Sequence, residues 1–399
     1  MIIALRIAIL ASESMSGGNN VVFEHAGNLV DRGYKVTMVV DGEVDKKKLS
    51  WHRRGSELEW ISLELAKQHT YDIAIATFWR TCYKIISIPA SRYLYFNQSV
   101  ESRFFPDEDT LNRSFSELTY CLGFYIVTEA SWIKTYIKEH YNQDAFFVPN
   151  GVNKEIFKLD GPCYASRNHG NLRVLVEGPL NIPFKNVQRT IDLCRQAGVD
   201  EVWLLTSTVA THVDGVDQLF SRVPIAETPP IYRSCDAIVK LSFIEGMFGP
   251  PLEMFHCGGT AVVYNVTGHE EYIRNGHNAL VAEMGDESAV LQHLRRLRED
   301  PELLATLKAH ALETARDWID WNSSTDRFEF ALQEIVEKFP LNACTVITKT
   351  RLVNTLASHA STTTQVNLEA SFFKLSFRKF FILTGRFLVR KIKKRFGIY

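Results

Sequence analysis

The sequence predicts an α/β protein made of two doubly wound, parallel sheets followed by a basic C-terminal helical tail. Two series of short apolar segments alternate with helical stretches. Parallel strands need such helical crossovers, so this order predicts a parallel sheet in each half. A polar break separates the two series, and 399 residues with 46% hydrophobic side chains are enough for two full cores.

The first series predicts a domain over residues 1–155. Its strands are LRIAILAS, KVTMVV, YDIAIAT, RYLYFN and GFYIVT. Residues 20–32 are predicted to form the first helix, which Gly33 ends. The opening MIIALRIAIL has no basic leading segment and runs directly into a glycine-rich turn, so we interpret it as the first strand rather than a secretory signal.

The second series predicts a domain over residues 165–318. Its strands are LRVLVEG, EVWLLT, DAIVKLS, TAVVY and NALVAE, and two helices follow the last of them. The turn sequence VPNGV at 148–152 and the polar stretch 163–171 interrupt the alternation. We therefore place the link between the domains there, with a hinge as its expected role.

The C-terminal tail, residues 341–399, has a charge opposite to that of the rest. It holds eleven Lys or Arg and one acid, giving +10, so the net charge of −1 leaves −11 on the preceding chain. Residues 371–399 interleave Phe, Leu and Ile with basic residues, a pattern that suits an anionic membrane surface. We favour the membrane and expect no nucleic-acid partner. The alternatives are packing on the protein's own acidic body and a nucleic-acid arm.

Cysteine usage and hydropathy predict the compartment. The seven cysteines are odd in number and include no CxxC pair, which indicates reduced thiols and no zinc site. No run approaches the eighteen apolar residues of a membrane span. We expect a cytoplasmic protein, with the tail as a possible peripheral contact to the inner face of the membrane.

The most informative segment is Ile238–Tyr264, which places Glu245 and Glu253 around a glycine-and-proline helix start between two apolar strands. The double proline suits the first helical turn, and the double glycine before TAVVY ends the helix. Such a loop lies at the carboxyl end of a parallel sheet, where open α/β folds bind ligands. Free N–H groups and the dipole at a helix start favour a phosphate there.

This pattern of Glu, seven residues and Glu, with its flanking glycine and prolines and the later CGGTAVV, resembles the signature of retaining family-4 glycosyltransferases of group 1 type. In that family two Rossmann-like domains face one another across a substrate cleft, the GT-B fold. The resemblance implies an acceptor-side domain over 1–155 and a nucleotide-sugar donor domain over 165–318. It also implies a last helix within 319–340 that crosses back to the first domain.

The resemblance assigns roles to the motif. It places Glu245 beside the donor sugar and Glu253 on the ribose of the nucleotide. The backbone of the intervening loop would contact the sugar and the diphosphate: Gly246, Met247, Phe248 and Gly249. The family loop runs Glu-Gly-Phe-Gly, whereas this chain has Glu-Gly-Met-Phe-Gly.

Cations are expected near the leaving diphosphate, because fixed positive charge stabilises it. In LVEGPLNIPFKN the family carries an arginine after the glycine and a lysine further on; Lys185 matches the lysine, and Pro179 replaces the arginine. We take Arg80, after the YDIAIAT strand, as a candidate for the missing cation, although a loop arginine is often only solvated. With Glu245, these two cations are the predicted catalytic residues.

The first domain supplies further candidates. Gly17 and Gly18 follow the first strand and let a ligand approach the backbone, although a plain turn explains them equally well. They do not form the GxGxxG of a dinucleotide site. Asn97, Gln98 and Glu101, with Phe105, are the candidates for an acceptor site in YFNQSVESRFFP.

The predicted function is retaining transfer of a hexosyl-type sugar from a nucleotide diphosphate donor to a glycan or lipid-linked acceptor, in surface polysaccharide or glycoconjugate synthesis. No cofactor is expected, and no metal, because the acidic run 107–109 follows a proline in a loop. The alternatives are a nucleotide-sugar epimerase, which needs acid and base groups on both faces of the sugar, and a non-catalytic glycan-binding or scaffold protein.

Overall fold

The computed structural model describes residues 5–167 and 170–363, which form two sheets covered by helices. The strands of the first domain are β1 (Arg6–Leu10), β2 (Lys35–Val40), β3 (Glu59–Ser62), β4 (Tyr71–Ala76), β5 (Ala90–Asn97), β6 (Tyr125–Thr128) and β7 (Ala145–Phe147). Its helices are α1 (Gly17–Asp31), α2 (Arg53–Glu57), α3 (Leu63–Ala66), α4 (Trp79–Lys84), α5 (Thr110–Leu118) and α6 (Ser131–Tyr141).

The second domain repeats the pattern. Its strands are β8 (Arg173–Glu177), β9 (Glu201–Thr206), β10 (Gln218–Ser221), β11 (Ala237–Lys240), β12 (Thr260–Tyr264) and β13 (Leu280–Ala282). Its helices are α7 (Val187–Gln196), α8 (Pro229–Ser234), α9 (Gly249–His256), α10 (Glu287–Glu299) and α11 (Pro301–Asp317). Two helices follow, α12 (Trp321–Lys338) and α13 (Ala343–Thr363).

Both sheets are doubly wound. The strand orders are β3-β2-β1-β4-β5-β6-β7 and β10-β9-β8-β11-β12-β13. Every pairing between these strands is parallel. This topology confirms the predicted fold class. The strand order reverses beside β1 and beside β8, and open α/β sheets bind ligands at such a switch point.

The glutamate-containing segment forms the predicted strand, helix and strand. Helix α9 carries both prolines in its first turn, where a missing N–H costs nothing. Gly258 follows the helix with φ of +78°, a left-handed conformation that glycine adopts without strain. Helix α1 starts at Gly17, three residues earlier than predicted, because the Ser16 side chain accepts the Asn19 N–H at 3.2 Å and caps the helix.

Helix α12 packs on the first domain, against α1. Asn28 Nδ2 donates to the Trp321 carbonyl oxygen at 3.1 Å, and the ring of His25 stacks on Phe328 with centroids 4.7 Å apart. Burial, with a contribution from Arg32, lowers the pKa of His25 to about 3. His25 is therefore a neutral packing residue.

The start of the predicted tail belongs to the first domain. Helix α13 buries Val346 and Val353 against it, and the Asn342 side chain bonds to the backbone N–H and carbonyl of Tyr93. Residues 341–399 are therefore not one membrane-binding tail, because the first part completes the hydrophobic core. The basic aromatic stretch 371–399 lies outside the described residues. Among the described helices, none has the length and apolar character needed to cross a membrane.

Candidate active site

The two domains enclose a cleft of about 1850 Å³, lined by the carboxyl ends of both sheets. Several contacts cross it. Trp132 Nε1 donates to the Gly246 carbonyl oxygen at 2.9 Å, and the Ser131 N–H donates to Glu271 at 2.6 Å. The rings of Phe104 and Phe184 stack across the domains with centroids 5.3 Å apart. The domains are thus already in contact around the cleft.

Glu245 lies in this cleft between two lysines. Glu245 is 7% exposed and follows β11. Lys185 Nζ donates to Oε2 at 2.8 Å, and Lys240 Nζ lies 3.7 Å from Oε1. Burial favours the protonated acid, but the two lysine charges outweigh it and lower the pKa of Glu245. Glu245 is therefore an ionised carboxylate in a site that also holds two fixed cations.

Glu253 lines the same cleft from helix α9. The Tyr232 hydroxyl donates a hydrogen bond to Glu253 Oε2 at 2.8 Å. Burial raises the pKa of Glu253 to about 7, and the negative charge of Glu177 acts in the same direction. The hydroxyl of Tyr232 fixes the orientation of this carboxylate, a contact that the sequence did not reveal.

The loop between the two glutamates differs from the prediction. The Met247 N–H already donates to Glu129 Oε1 at 3.0 Å, and the Gly249 N–H donates to the Met247 carbonyl at 3.1 Å. The Phe248 side chain is fully buried in the second-domain core and does not line the cleft. Gly246, Met247 and Gly249 do line it. In this arrangement the N–H groups of Met247 and Gly249 already have protein acceptors, so contact of the Met247, Phe248 and Gly249 N–H groups with a diphosphate stays a prediction.

Glu129, which sequence reasoning missed, joins three parts of the molecule. It follows β6 and is 5% exposed. Its Oε2 accepts from Asn150 Nδ2 in the interdomain link at 2.8 Å, and its Oε1 accepts from the Met247 N–H in the loop between Glu245 and Glu253. Burial raises the pKa of Glu129 to about 7. The sequence could have indicated Glu129 by its position directly after a buried strand, because the carboxyl ends of the strands face the cleft.

The glycine turn and Arg80 also line the cleft. Gly17 and Gly18 form the start of α1, and an added Cβ at Gly18 would lie 3.2 Å from Gln98 Oε1. The guanidinium of Arg80 lies 4.9 Å above the ring of Trp79 and donates to Asn112 Oδ1 at 3.5 Å. These contacts hold Arg80 on the first domain.

The acceptor-side candidates divide into two groups. Gln98 and Glu101 line the cleft. Asn97 is fully buried, and its Nδ2 donates to the Tyr95 hydroxyl at 2.9 Å and to the Ser99 carbonyl at 2.8 Å. The prediction for Asn97 is wrong because its amide stabilises the turn after β5 from inside. Phe105 likewise does not line the cleft.

Glu101 should make the protein less stable at alkaline pH. Burial raises its pKa to about 8 from an ordinary 4.5, and its Oε2 accepts the Trp79 N–H at 2.6 Å. The folded chain therefore holds a proton that the unfolded chain has lost, so stability falls as the pH rises through this window. We expect Glu101→Gln, which still accepts from Trp79, to remove up to about 3 kcal/mol of the decrease in unfolding free energy between pH 5.5 and 8.5.

Urea unfolding of wild type and Glu101→Gln at both pH values measures this effect. The buried histidines contribute equally to the pH dependence of the unfolding free energy in both proteins, so their contribution cancels in the comparison. Equal pH dependence in the two proteins would show that Glu101 does not retain its proton.

Comparison with known proteins identifies the second domain. Residues 217–314, which include Glu245 and Glu253, match the family model for glycosyl transferases group 1. The chain carries a group 1 glycosyltransferase domain. The chain is 26% identical over 269 residues to the O-antigen biosynthesis protein RfbC of Myxococcus xanthus, covering 64% of the chain and 20% of that protein. It is 24% identical to the uncharacterized glycosyltransferase MJ1178 of Methanocaldococcus jannaschii, covering 58% of the chain and 63% of that protein.

Solved structures share the two-domain fold of this chain. Anabaena Alr3699/HepE in complex with UDP and glucose superposes with a TM-score of 0.67 at 14% identity, over 83% of this chain and 100% of that one. Sucrose-phosphate synthase from Thermosynechococcus elongatus gives 0.65 at 14% identity, over 83% and 99%. The fold is GT-B, as predicted. The chain spans a fifth and about three fifths of the lengths of the two sequence relatives.

Proposed function

We propose that this protein transfers a sugar, with retention of configuration and without a metal ion, from a nucleoside diphosphate donor to a glycan or lipid-linked acceptor in surface polysaccharide synthesis. The observation that carries the proposal is the charge cluster at Glu245, where an ionised carboxylate and two lysines meet in the interdomain cleft.

The cluster suits the chemistry of a nucleotide sugar. Breaking the glycosidic bond to a diphosphate leaves negative charge on the departing nucleotide, and preorganised cations stabilise that charge best in a site with little water. Lys185 is held by Glu245 in the loop between β8 and α7, so it is positioned before the donor binds. The ionised Glu245 can accept hydrogen bonds from sugar hydroxyl groups and orient the ring.

Glu253 suits the nucleoside part of the proposed donor. Glu253 lines the cleft eight residues further on, where the Tyr232 hydroxyl fixes it. A carboxylate is a suitable acceptor for the two hydroxyl groups of a ribose. Related structures support this nucleotide class, because Alr3699/HepE is described in complex with UDP-glucose. The similarity to an O-antigen biosynthesis protein supports a polysaccharide acceptor.

Nucleotide binding and turnover test the proposal together. Purified protein is mixed with UDP, GDP, dTDP, ADP and CMP and their common sugars, and the melting temperature is recorded. Ligand at a hundredfold over its Kd adds about 2.7 kcal/mol, enough for a shift of several degrees. We expect one nucleotide to raise the melting temperature, and its sugar to yield free nucleotide in the presence of a membrane extract.

Glu245→Gln is the matched control, because it keeps the shape of the side chain but removes its charge. Nucleotide release by the wild type no faster than by Glu245→Gln, across the full donor set, would contradict the transferase and favour a non-catalytic glycan-binding protein. Analysis of the anomeric configuration of the product by NMR tests retention.

A further inference from the structure

Lys240 is a buried lysine at the end of a central strand. The rest of β11, residues 237–239, is fully buried and apolar, and Lys240 itself is only 3% exposed. Lysine is almost never buried to this extent unless it is paired, because an ammonium group loses its hydration there. The side chain nevertheless lines the cleft, so its charged end is turned to the site and not to the core.

The contacts of Lys240 place it at the switch point of the donor sheet. Its Nζ donates to Glu177 Oε2 at 2.6 Å and to the Glu177 carbonyl oxygen at 3.1 Å. Glu177 ends β8, and β8 and β11 are the neighbouring strands between which the order of the sheet reverses. Open α/β folds bind ligands in this crevice. The ammonium therefore lies where the nucleotide of the proposed function is expected.

Besides its two contacts with Glu177, the Lys240 ammonium faces Glu245. The distance from Lys240 Nζ to Glu245 Oε1 is 3.7 Å, too long for a hydrogen bond, and this buried oxygen has no hydrogen-bond partner among the described residues. Both groups thus retain unused hydrogen-bonding capacity within the cleft. Burial acts against the charge of Lys240, but Glu177 and Glu245 more than offset it and raise the pKa of its ammonium group.

The loop after β8 passes close to this ammonium. Gly178 adopts φ of +148°, and an added Cβ there would lie 3.0 Å from Val187 Cγ2, 3.7 Å from Lys185 Cβ and 3.8 Å from Lys240 Nζ. The next residue is Pro179, which supplies neither a charge nor a backbone N–H. The Lys185 ammonium lies beside Oε2 of Glu245, and the Lys240 ammonium lies beside Oε1. The second domain therefore places two cations beside Glu245, although the loop after β8 has an uncharged residue at Pro179.

We propose that Lys240 binds the diphosphate of the donor, together with Lys185, and supplies the positive charge that the loop at Pro179 lacks. This inference rests on the proposed function, because it presumes a nucleoside diphosphate in the cleft. A bound diphosphate competes with Glu177 for the ammonium. Glu177 is 23% exposed and can then turn toward solvent.

A purely structural role for Lys240, neutralising Glu177, is the alternative that the experiment must separate. Lys240→Met alone leaves Glu177 partly buried without its partner and could unfold the domain. The double variant Glu177→Gln/Lys240→Met removes both charges at once and keeps similar side-chain volumes. It isolates the effect of Lys240 on the ligand from its effect on Glu177.

Calorimetric binding of the preferred nucleoside, its monophosphate and its diphosphate provides the test. We expect the double variant to bind the diphosphate about 10- to 100-fold more weakly than wild type, the loss of a charge-assisted hydrogen bond, and the nucleoside within about twofold. The single variant Glu177→Gln, which frees Lys240, should bind the diphosphate at least as tightly as wild type.

Lys308→Met serves as the matched control. Lys308 is a partly buried lysine of the same domain that pairs with Asp236 at 3.0 Å and does not line the cleft. It should leave all three affinities unchanged. A double variant with the wild-type ratio of diphosphate to nucleoside affinity overturns the role of Lys240 while the proposed function stands. A wild-type protein that binds none of the three ligands overturns both.

Discussion

Replacing Gly246 with alanine should force the two domains apart and reduce the proposed sugar transfer at least 100-fold. An added Cβ would lie 1.9 Å from the Gln98 carbonyl oxygen and 2.8 Å from Glu129 Oε1, both in the first domain. A backbone oxygen cannot rotate away as a side chain can, so the domains must move. The hydrogen bonds from Trp132 to the Gly246 carbonyl and from Met247 to Glu129 would then lengthen or break.

Gly246→Ala should change the overall shape of the protein more than its free energy of unfolding. Each domain has its own buried core, so separating them removes few of the contacts that hold either sheet together. Small-angle scattering of Gly246→Ala, without ligand, should show a larger radius of gyration than wild type. Turnover should fall because catalytic groups displaced by about 1 Å lose much of their effect.

Gly249→Ala is the control for the scattering measurement, because an added Cβ there meets nothing within 4 Å. It lies in the same loop, three residues away, and should leave the radius of gyration unchanged. Wild-type scattering and turnover for Gly246→Ala would mean that the contact between Gly246 and Gln98 is not maintained in solution.

The sequence was informative wherever a local pattern determines structure. The longer strands were predicted because they are continuous apolar runs, and the start of α9 was predicted because two prolines fit only a first turn. Strands β3, β7 and β10 were missed. They have three or four residues and lie at sheet edges, and β3 (EWIS) and β10 (QLFS) each contain two polar residues, so neither is a continuous apolar run.

The site was harder to predict because it depends on which strands are neighbours. Glu129 and Met247 are 118 positions apart, and only the closure of the cleft brings them together. Lys240 looked like part of an apolar strand because nothing in the sequence places Glu177 beside it. Asn97 and Gln98 were both assigned to the cleft, but only Gln98 lines it, since adjacent residues at a strand end point to opposite sides.

Replacing Lys185 with alanine should lower kcat by about 100- to 1000-fold, the usual loss when one preorganised donor to a developing negative charge is removed. The Lys185 ammonium is held 2.8 Å from Glu245 in a cleft between two domains, so water compensates poorly for its absence. The variant should fold, because the Lys185 side chain is not part of a hydrophobic core and Lys240 remains near Glu245.

The pH profile provides a second, independent consequence. Lys185 is the larger of the two lysine contributions that lower the pKa of Glu245 against the effect of burial. Without Lys185 the carboxylate should hold its proton to higher pH. If transfer needs ionised Glu245, the acidic limb of kcat against pH must move to higher pH in Lys185→Ala. Loss of a simple binding contact would instead raise KM and leave that limb in place.

A second lysine of the cleft separates this effect from a general loss of positive charge. Lys48 also lines the cleft, but it is 61% exposed and only 3.7 Å from Asp45, so solvent screens its charge. Lys48→Ala should change kcat less than about threefold and leave the pH profile unmoved. If Lys185→Ala behaved in the same way, the two cations would be equivalent solvated charges. The pairing of Lys185 with Glu245 would then be a feature of the resting protein that transfer does not use.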